Sequence, residues 1–197
     1  MKTLIALLFL LSVASATVLP NAALAQNVLV VYYSVDGHTE LMAKAVASGA
    51  EAVTGAEVRL RILEDASSED LLWADAILVG SPVYASNIAA PVVEFLAAMP
   101  WGDQLKDKIG GAFVTAGGIS AGEEFAQLAI LRMMLIYNMI VVGGPTWSGA
   151  FGASGITMEE PFADTQEQAW VDPRFLAKGT ALGTRVAELA QRIGMEK

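Results

Sequence analysis

Cysteine is absent from the 197-residue chain and histidine occurs once, at His38. No disulfide framework, lipid-modified cysteine or His/Cys metal cluster can therefore be built, and the reading assigns no metal. Basic residues are also scarce: 12 Lys and Arg stand against 21 Asp and Glu, giving a formal charge of −9. Nucleic acid and anionic lipid are poor partners for such a chain, because binding polyanions rests on clustered cations. Long apolar runs are missing too. The longest, "LIALLFLLSVA" near the amino terminus, falls short of the ~20 residues a bilayer-spanning helix needs.

That short run has another use. Lys2 precedes it and Ala23-Leu24-Ala25 follows it, the pattern of a secretory signal cleaved before Gln26. No twin arginine is present, so a Sec-type route and a bacterial periplasmic destination are expected. Residues 1–25 are read as the signal peptide and 26–197 as one domain, with no membrane span remaining after cleavage.

The rest of the chain alternates between two kinds of segment. "NVLVVYY" (27–33), "AILVG" (76–80), "GGAFVTA" (110–116) and "MIVVGG" (139–144) are continuous apolar runs, as buried parallel strands are. "AEVRLRIL" (56–63) alternates, as a strand with one more exposed face does. Between them lie helical patterns over 39–54, 67–74, 89–99 and 123–137, and a closing one over 172–194. Five strands alternating with five helices predict an α/β fold, a parallel sheet covered on both faces.

Open parallel sheets bind ligands outside the carboxyl ends of their strands. The unusual loops fall there: Ser34 to Thr39, "SPVYASN" (81–87) and "AGGISAG" (116–122). In the first, a helix start at Thr39 offers unpaired N–H groups, Ser34 and Thr39 add hydroxyls, and Gly37 permits close backbone approach. There is no P-loop lysine and no G-x-G-x-x-G, so a phosphate monoester held by neutral donors suits the loop better than a triphosphate or a dinucleotide. A capped turn with no ligand is the bland alternative. His38 is expected to face solvent, Trp73 and the Met133-Met134 pair to fill core, and Trp170 carries no signal. The long segment 145–171, with Trp147 and Phe151, reads as an ordered loop that walls a site or contacts another subunit.

Three stretches, "VVYYSVDGHTELMAKAV", "GSPVYASNIAAPVVEFL" and "KIGGAFVTAGG", resemble the flavin-binding loops of the flavodoxin-like superfamily. Within it the chain is similar to the tryptophan-repressor-binding-protein type of NAD(P)H:quinone oxidoreductases, over residues 27–194. The resemblance implies a flavodoxin-like three-layer sandwich with a five-stranded sheet of order 2-1-3-4-5. It also implies non-covalent FMN, NAD(P)H as donor, a quinone-type acceptor or redox protein as partner, and a homodimer or homotetramer. Ser34, Val35, Asp36, Gly37, His38 and Thr39 would hold the FMN phosphate. Pro82, Val83, Tyr84, Ala85 and Asn87 would flank the ring and ribityl chain. Thr115, Ala116, Gly117, Gly118 and Ile119 would supply backbone contacts, with Tyr137 close by and Trp101 near the pocket across a subunit interface. No side chain is assigned a catalytic role.

The chain also departs from these relatives. They carry a basic residue and an aromatic at the places of Tyr84 and Ala85, and His-Gly at Tyr137-Asn138. Asn tolerates the left-handed conformation that ends a helix, so Asn138 can replace that glycine. Asp36 stands where nicotinamide approaches in relatives. An electron carrier between proteins, for which the acidic surface is suited, and a non-enzymatic binding module remain alternatives to the flavoenzyme.

Overall fold

The computed structural model describes residues 26–163 and 169–194. The signal-peptide reading of residues 1–25 lies outside them. Among the described residues no helix is long and apolar enough to cross a membrane.

Strand β1 (Gln26–Tyr32) lies between β2 (Ala56–Ile62) and β3 (Ala76–Tyr84), parallel to both. β5 (Ile109–Ala116) continues the sheet beside β3. The alternation of side chains along each strand builds two cores. Leu29, Val31, Ile77, Val79, Ala112 and Val114 face one layer; Val28, Val30, Ala76, Leu78, Ile109 and Phe113 face the other. The first layer is closed by α2 (Ser68–Trp73), α3 (Ala90–Ala97) and α4 (Glu123–Leu135), the second by α1 (His38–Glu51) and α5 (Pro173–Gly194). Each fully buried Leu, Ile or Val contributes about 1.5–3 kcal/mol. That explains why the central strands carry no polar side chain over Val28 to Val31.

Among the described residues the expected count of five strands is corrected to seven, in the order β2-β1-β3-β5-β6 (Ile140–Val141), with β4 (Asn87–Ile88) paired to β3 and β7 (Ala153–Ile156) paired to β5. Two local causes account for the difference. β3 runs past Gly80 to Tyr84 and turns back through Ala85 (φ 47°) and Ser86 (φ 64°) into the antiparallel β4 (Asn87–Ile88). Two residues at positive φ make the tight turn whose twist matches a hairpin, although neither is a residue type that advertises it. The run over 139–144 is strand only at β6 (Ile140–Val141). At Gly143 and Gly144 the chain leaves the sheet, where Gly144 N–H donates to Gly149 O at 2.7 Å and a Cβ on Gly143 would stand 1.9 Å from Ala150 O. It returns as β7 (Ala153–Ile156), parallel to β5 at Phe113 to Ala116. The segment expected to be loop over 145–171 therefore contains a strand.

Other local expectations agree with the structure. Ser67 and Asp70 form a reciprocal cap on α2, and Asp70 also takes Arg59 at 2.9 Å. Trp73 packs partly buried on the first core with the Arg59 guanidinium 3.8 Å above its ring. Met134 is buried, Met133 packs against the same core, and Asn138 ends the helical run at φ 58°.

Helices α1 and α5 touch backbone to backbone. A Cβ on Gly49 would lie 2.0 Å from Thr180 O, and one on Gly183 would lie 1.9 Å from Val46 O. Thr184 Oγ1 adds a hydrogen bond to Gly49 O at 2.8 Å. This contact seats α1, and α1 positions the site.

Candidate functional site

β1, β3 and β5 end together, and the loops that follow them enclose a cleft of about 190 Å³. Ser34, Val35, Asp36, His38 and Thr39 line one side, Pro82, Val83 and Tyr84 another, and Thr115, Ala116 and Gly117 the floor. A larger, polar hollow of about 430 Å³ lies among Gln26, Asp75, Lys106 and Ile109. It sits at the amino ends of the strands, the end parallel sheets do not use for ligands.

The first loop is shaped by Ser34 and Gly37. Gly37 takes the left-handed conformation (φ 90°) that lets the chain enter α1, with Ala169 close behind it. Ser34 Oγ accepts from Gly37 N–H at 3.1 Å and from Glu40 N–H at 3.3 Å. The hydroxyl thereby holds the loop while the start of α1 faces the cleft with the positive end of its dipole. Thr39 is buried and its Oγ1 lies 2.7 Å from Thr115 Oγ1, so the phosphate-type loop and the third loop are bolted together.

His38 is corrected. Its side chain is 16 % exposed and lines the cleft, with Nδ1 3.7 Å from Asp36 Oδ2, whereas Asp36 itself reaches solvent. The sequence misled because histidine is usually an exposed loop residue, and the strand-to-helix entry turns this one inward. Tyr84 is half-exposed at the mouth, and burial, with the Asp36 charge second, raises its phenol pKa.

Some expected residues do not line the cleft. Ala85 and Asn87 belong to the hairpin beyond Tyr84, where Asn87 Oδ1 accepts from Ile88 N–H. Gly118 stands against Glu159, and Ile119 N–H donates to Glu159 Oε2 at 2.7 Å. Tyr137 is buried elsewhere, where its hydroxyl donates to Leu96 O at 2.7 Å and its ring lies 5.0 Å from Trp101. A tyrosine hydroxyl in an apolar layer needs such a partner, and this one is the Leu96 carbonyl. Three residues were missed: Thr157 and Met158, which line the cleft, and Glu159. They follow β7, and Thr157 N–H and Met158 N–H donate to Ala116 O and Gly117 O. The length of the 145–171 segment was the only signal for them.

Comparison with known proteins matches residues 65–154 to the family described as NADPH-dependent FMN reductase. The chain is 34 % identical over 151 residues to a protein named flavodoxin from Aquifex aeolicus, covering 73 % of this chain and 80 % of that one. It is 30 % identical over 204 residues to a NAD(P)H dehydrogenase (quinone) from Geotalea daltonii, covering 87 % of this chain and all of the relative. The chain belongs to the flavodoxin-like NAD(P)H dehydrogenase (quinone) family. A solved flavodoxin, WrbA-like protein from Agrobacterium tumefaciens shares the fold at a TM-score of 0.66 and 24 % identity, over 85 % of this chain and 99 % of that one.

For a member of this family the cleft can be tested against FMN on its own chemistry. Among the described residues no Lys or Arg lines it, and the polar groups are hydroxyls, an imidazole, backbone and the Asp36 carboxylate at the mouth. Neutral donors at a helix start suit a phosphate monoester. The apolar strip of Pro82, Val83 and Ala116 suits a planar ring. The residues present fit the cofactor.

Proposed function

We propose that the protein is an FMN-dependent NAD(P)H:quinone oxidoreductase. The observation that carries this reading is the cleft at the joint ends of β1, β3 and β5, where a helix start and an apolar slot are held together by the Thr39–Thr115 hydrogen bond. In this reading Ser34 to Thr39 hold the FMN phosphate, Pro82 to Tyr84 flank the ring, and Thr115 to Gly117 lie along its edge. FMN supplies the capacity to accept a hydride from a nicotinamide and pass two electrons to a quinone. The protein binds and orients; Met158 and Tyr84 bound the mouth through which donor and acceptor take turns.

The finer assignments are part of the same proposal. The outer side of α4 exposes Phe125, Leu128, Leu135 and Ile136, an apolar face suited to a second copy of the chain in a dimer or tetramer. Export to the periplasm rests on the pattern in residues 1–25, and cell fractionation tests it: a cytoplasmic, uncleaved product would overturn it.

The deciding experiment has two steps. Purified protein is given FMN, excess is removed, and retained visible absorbance is read. NADH or NADPH oxidation is then followed with a soluble quinone. Retained flavin with quinone-dependent turnover supports the enzyme. Retained flavin without turnover favours the second reading, an electron carrier, which the formal charge of −9 suits through docking to a basic partner. No retained flavin from folded protein leaves a binding module.

A further inference from the structure

The third loop of the cleft has little side-chain anchorage of its own. Gly117 and Gly118 carry no side chain, Ile119 is 55 % exposed, and Ser120 and Gly122 hold φ 62° and 102°. Such a stretch is ordered through its backbone, against a high cost in conformational entropy.

The partners of that backbone come from the segment after β7. Thr157 N–H donates to Ala116 O at 3.0 Å and Met158 N–H to Gly117 O at 2.9 Å, two rungs that extend the β5–β7 pairing. Past Gly117 a side chain takes over. Ile119 N–H donates to Glu159 Oε2 at 2.7 Å, a charge-assisted bond between residues 40 positions apart. The bonds of Ser120 N–H to Glu123 Oε1 at 3.2 Å and of Ala121 N–H to Gly118 O at 3.3 Å are longer and local. The carboxylate also lies where a side chain at position 118 would go, since a Cβ there would stand 2.7 Å from Glu159 Oε2. Gly118 does not hold a positive φ, so what glycine supplies at this position is room for Glu159.

We infer that Glu159 is a positioning residue for FMN, a latch whose carboxylate holds the third loop in the form that lines the cleft at Ala116 and Gly117. The inference rests on the FMN reading of that cleft. A latched loop meets the cofactor already ordered; an unlatched one must be ordered by it, and affinity falls by that cost. Repulsion between the carboxylate and the cofactor phosphate acts in the opposite direction. Glu159 is exposed, where salt screens such repulsion, so the latch decides the sign.

Three variants separate reach from charge. Glu159→Gln keeps an acceptor oxygen at the same reach, Glu159→Asp keeps the charge but is one methylene short, and Gly118→Ala displaces the carboxylate. In fluorescence titrations FMN affinity should fall about tenfold in Glu159→Asp and in Gly118→Ala, and stay within about threefold of the wild type in Glu159→Gln. The losses should not add, so Glu159→Ala and Glu159→Ala/Gly118→Ala should bind FMN alike. Amide hydrogen exchange on the FMN-free proteins reads the latch itself: Ile119 N–H should exchange faster in Glu159→Asp than in the wild type or Glu159→Gln. A wild-type protein that protects Ile119 N–H yet retains no FMN would overturn the FMN reading, and this inference with it. FMN bound by the wild type and as tightly by Glu159→Asp, a Glu159→Gln protein as weak as Glu159→Asp, or additive losses in the double variant would overturn the latch alone.

Discussion

Thr39 Oγ1 and Thr115 Oγ1 meet at 2.7 Å, both buried, one in the first turn of α1 and the other near the end of β5. They join elements 76 residues apart at the floor of the cleft. Thr115→Val strands the Thr39 hydroxyl and should cost about 1–3 kcal/mol. The double variant Thr39→Val/Thr115→Val should recover part of that loss, because it removes both polar groups. Thermal melts of the wild type, Thr39→Val, Thr115→Val and the double variant check this; strictly additive losses would show that the pair is not coupled.

Gly37 holds φ 90° and faces Ala169 at the back of the first loop. Valine there adds backbone strain of about 1–2 kcal/mol and a side chain with nowhere to go. FMN affinity should fall by about tenfold or more. Flavin fluorescence titration reads it, and unchanged affinity would move the phosphate out of this loop.

Much of this was legible beforehand, for reasons visible in particular residues. Val28 to Val31 and Ile77 to Val79 are buried on both faces, so their strands could be read as unbroken apolar runs. The loops after β1, β3 and β5 were legible because a parallel sheet gathers its strand ends. The excursion between β6 and β7 was not, since it rests on backbone approach of Gly143 and Gly144 to the 149–150 segment, and Ala153-Ser154-Gly155 has little strand propensity. β4 escaped notice because Ala85 and Ser86 are unusual residues for a positive-φ turn. Tyr137 was placed by resemblance at a position where this chain has a different residue, and its hydroxyl is committed to Leu96 O.

The carboxyl of Asp172 just ahead of α5 accepts from the Arg174 guanidinium and from Arg174 N–H, and those hydrogen bonds hold its pKa at about 2, below the ordinary 3.8. A depressed carboxylate stabilises the fold above pH 3.8 and loses that contribution as pH falls through about 2. Asp172→Asn should therefore melt below the wild type at neutral pH, with the gap narrowing across that window. A gap independent of pH would assign the effect to packing instead.

Phe125, Leu128 and Leu135 share the exposed side of α4. Phe125→Glu with Leu135→Glu should shift the sedimenting species to a single chain while leaving the melt of the fold little changed. A wild-type protein that already sediments as one chain would refute self-association through this face.

The glycine contact between α1 and α5 also bears on the timing of assembly. A chain emerges from synthesis, or from a translocation channel, with its amino terminus first. The helix that follows the FMN-type loop, α1, is thus available before the helix it must lie against, α5. Until Gly183 reaches Val46, the second core lacks half its cover and the loop over Ser34 to Thr39 has no fixed support. Cofactor capture is placed after α5 has emerged, so a version truncated before α5 should remain colourless in FMN however long it is incubated.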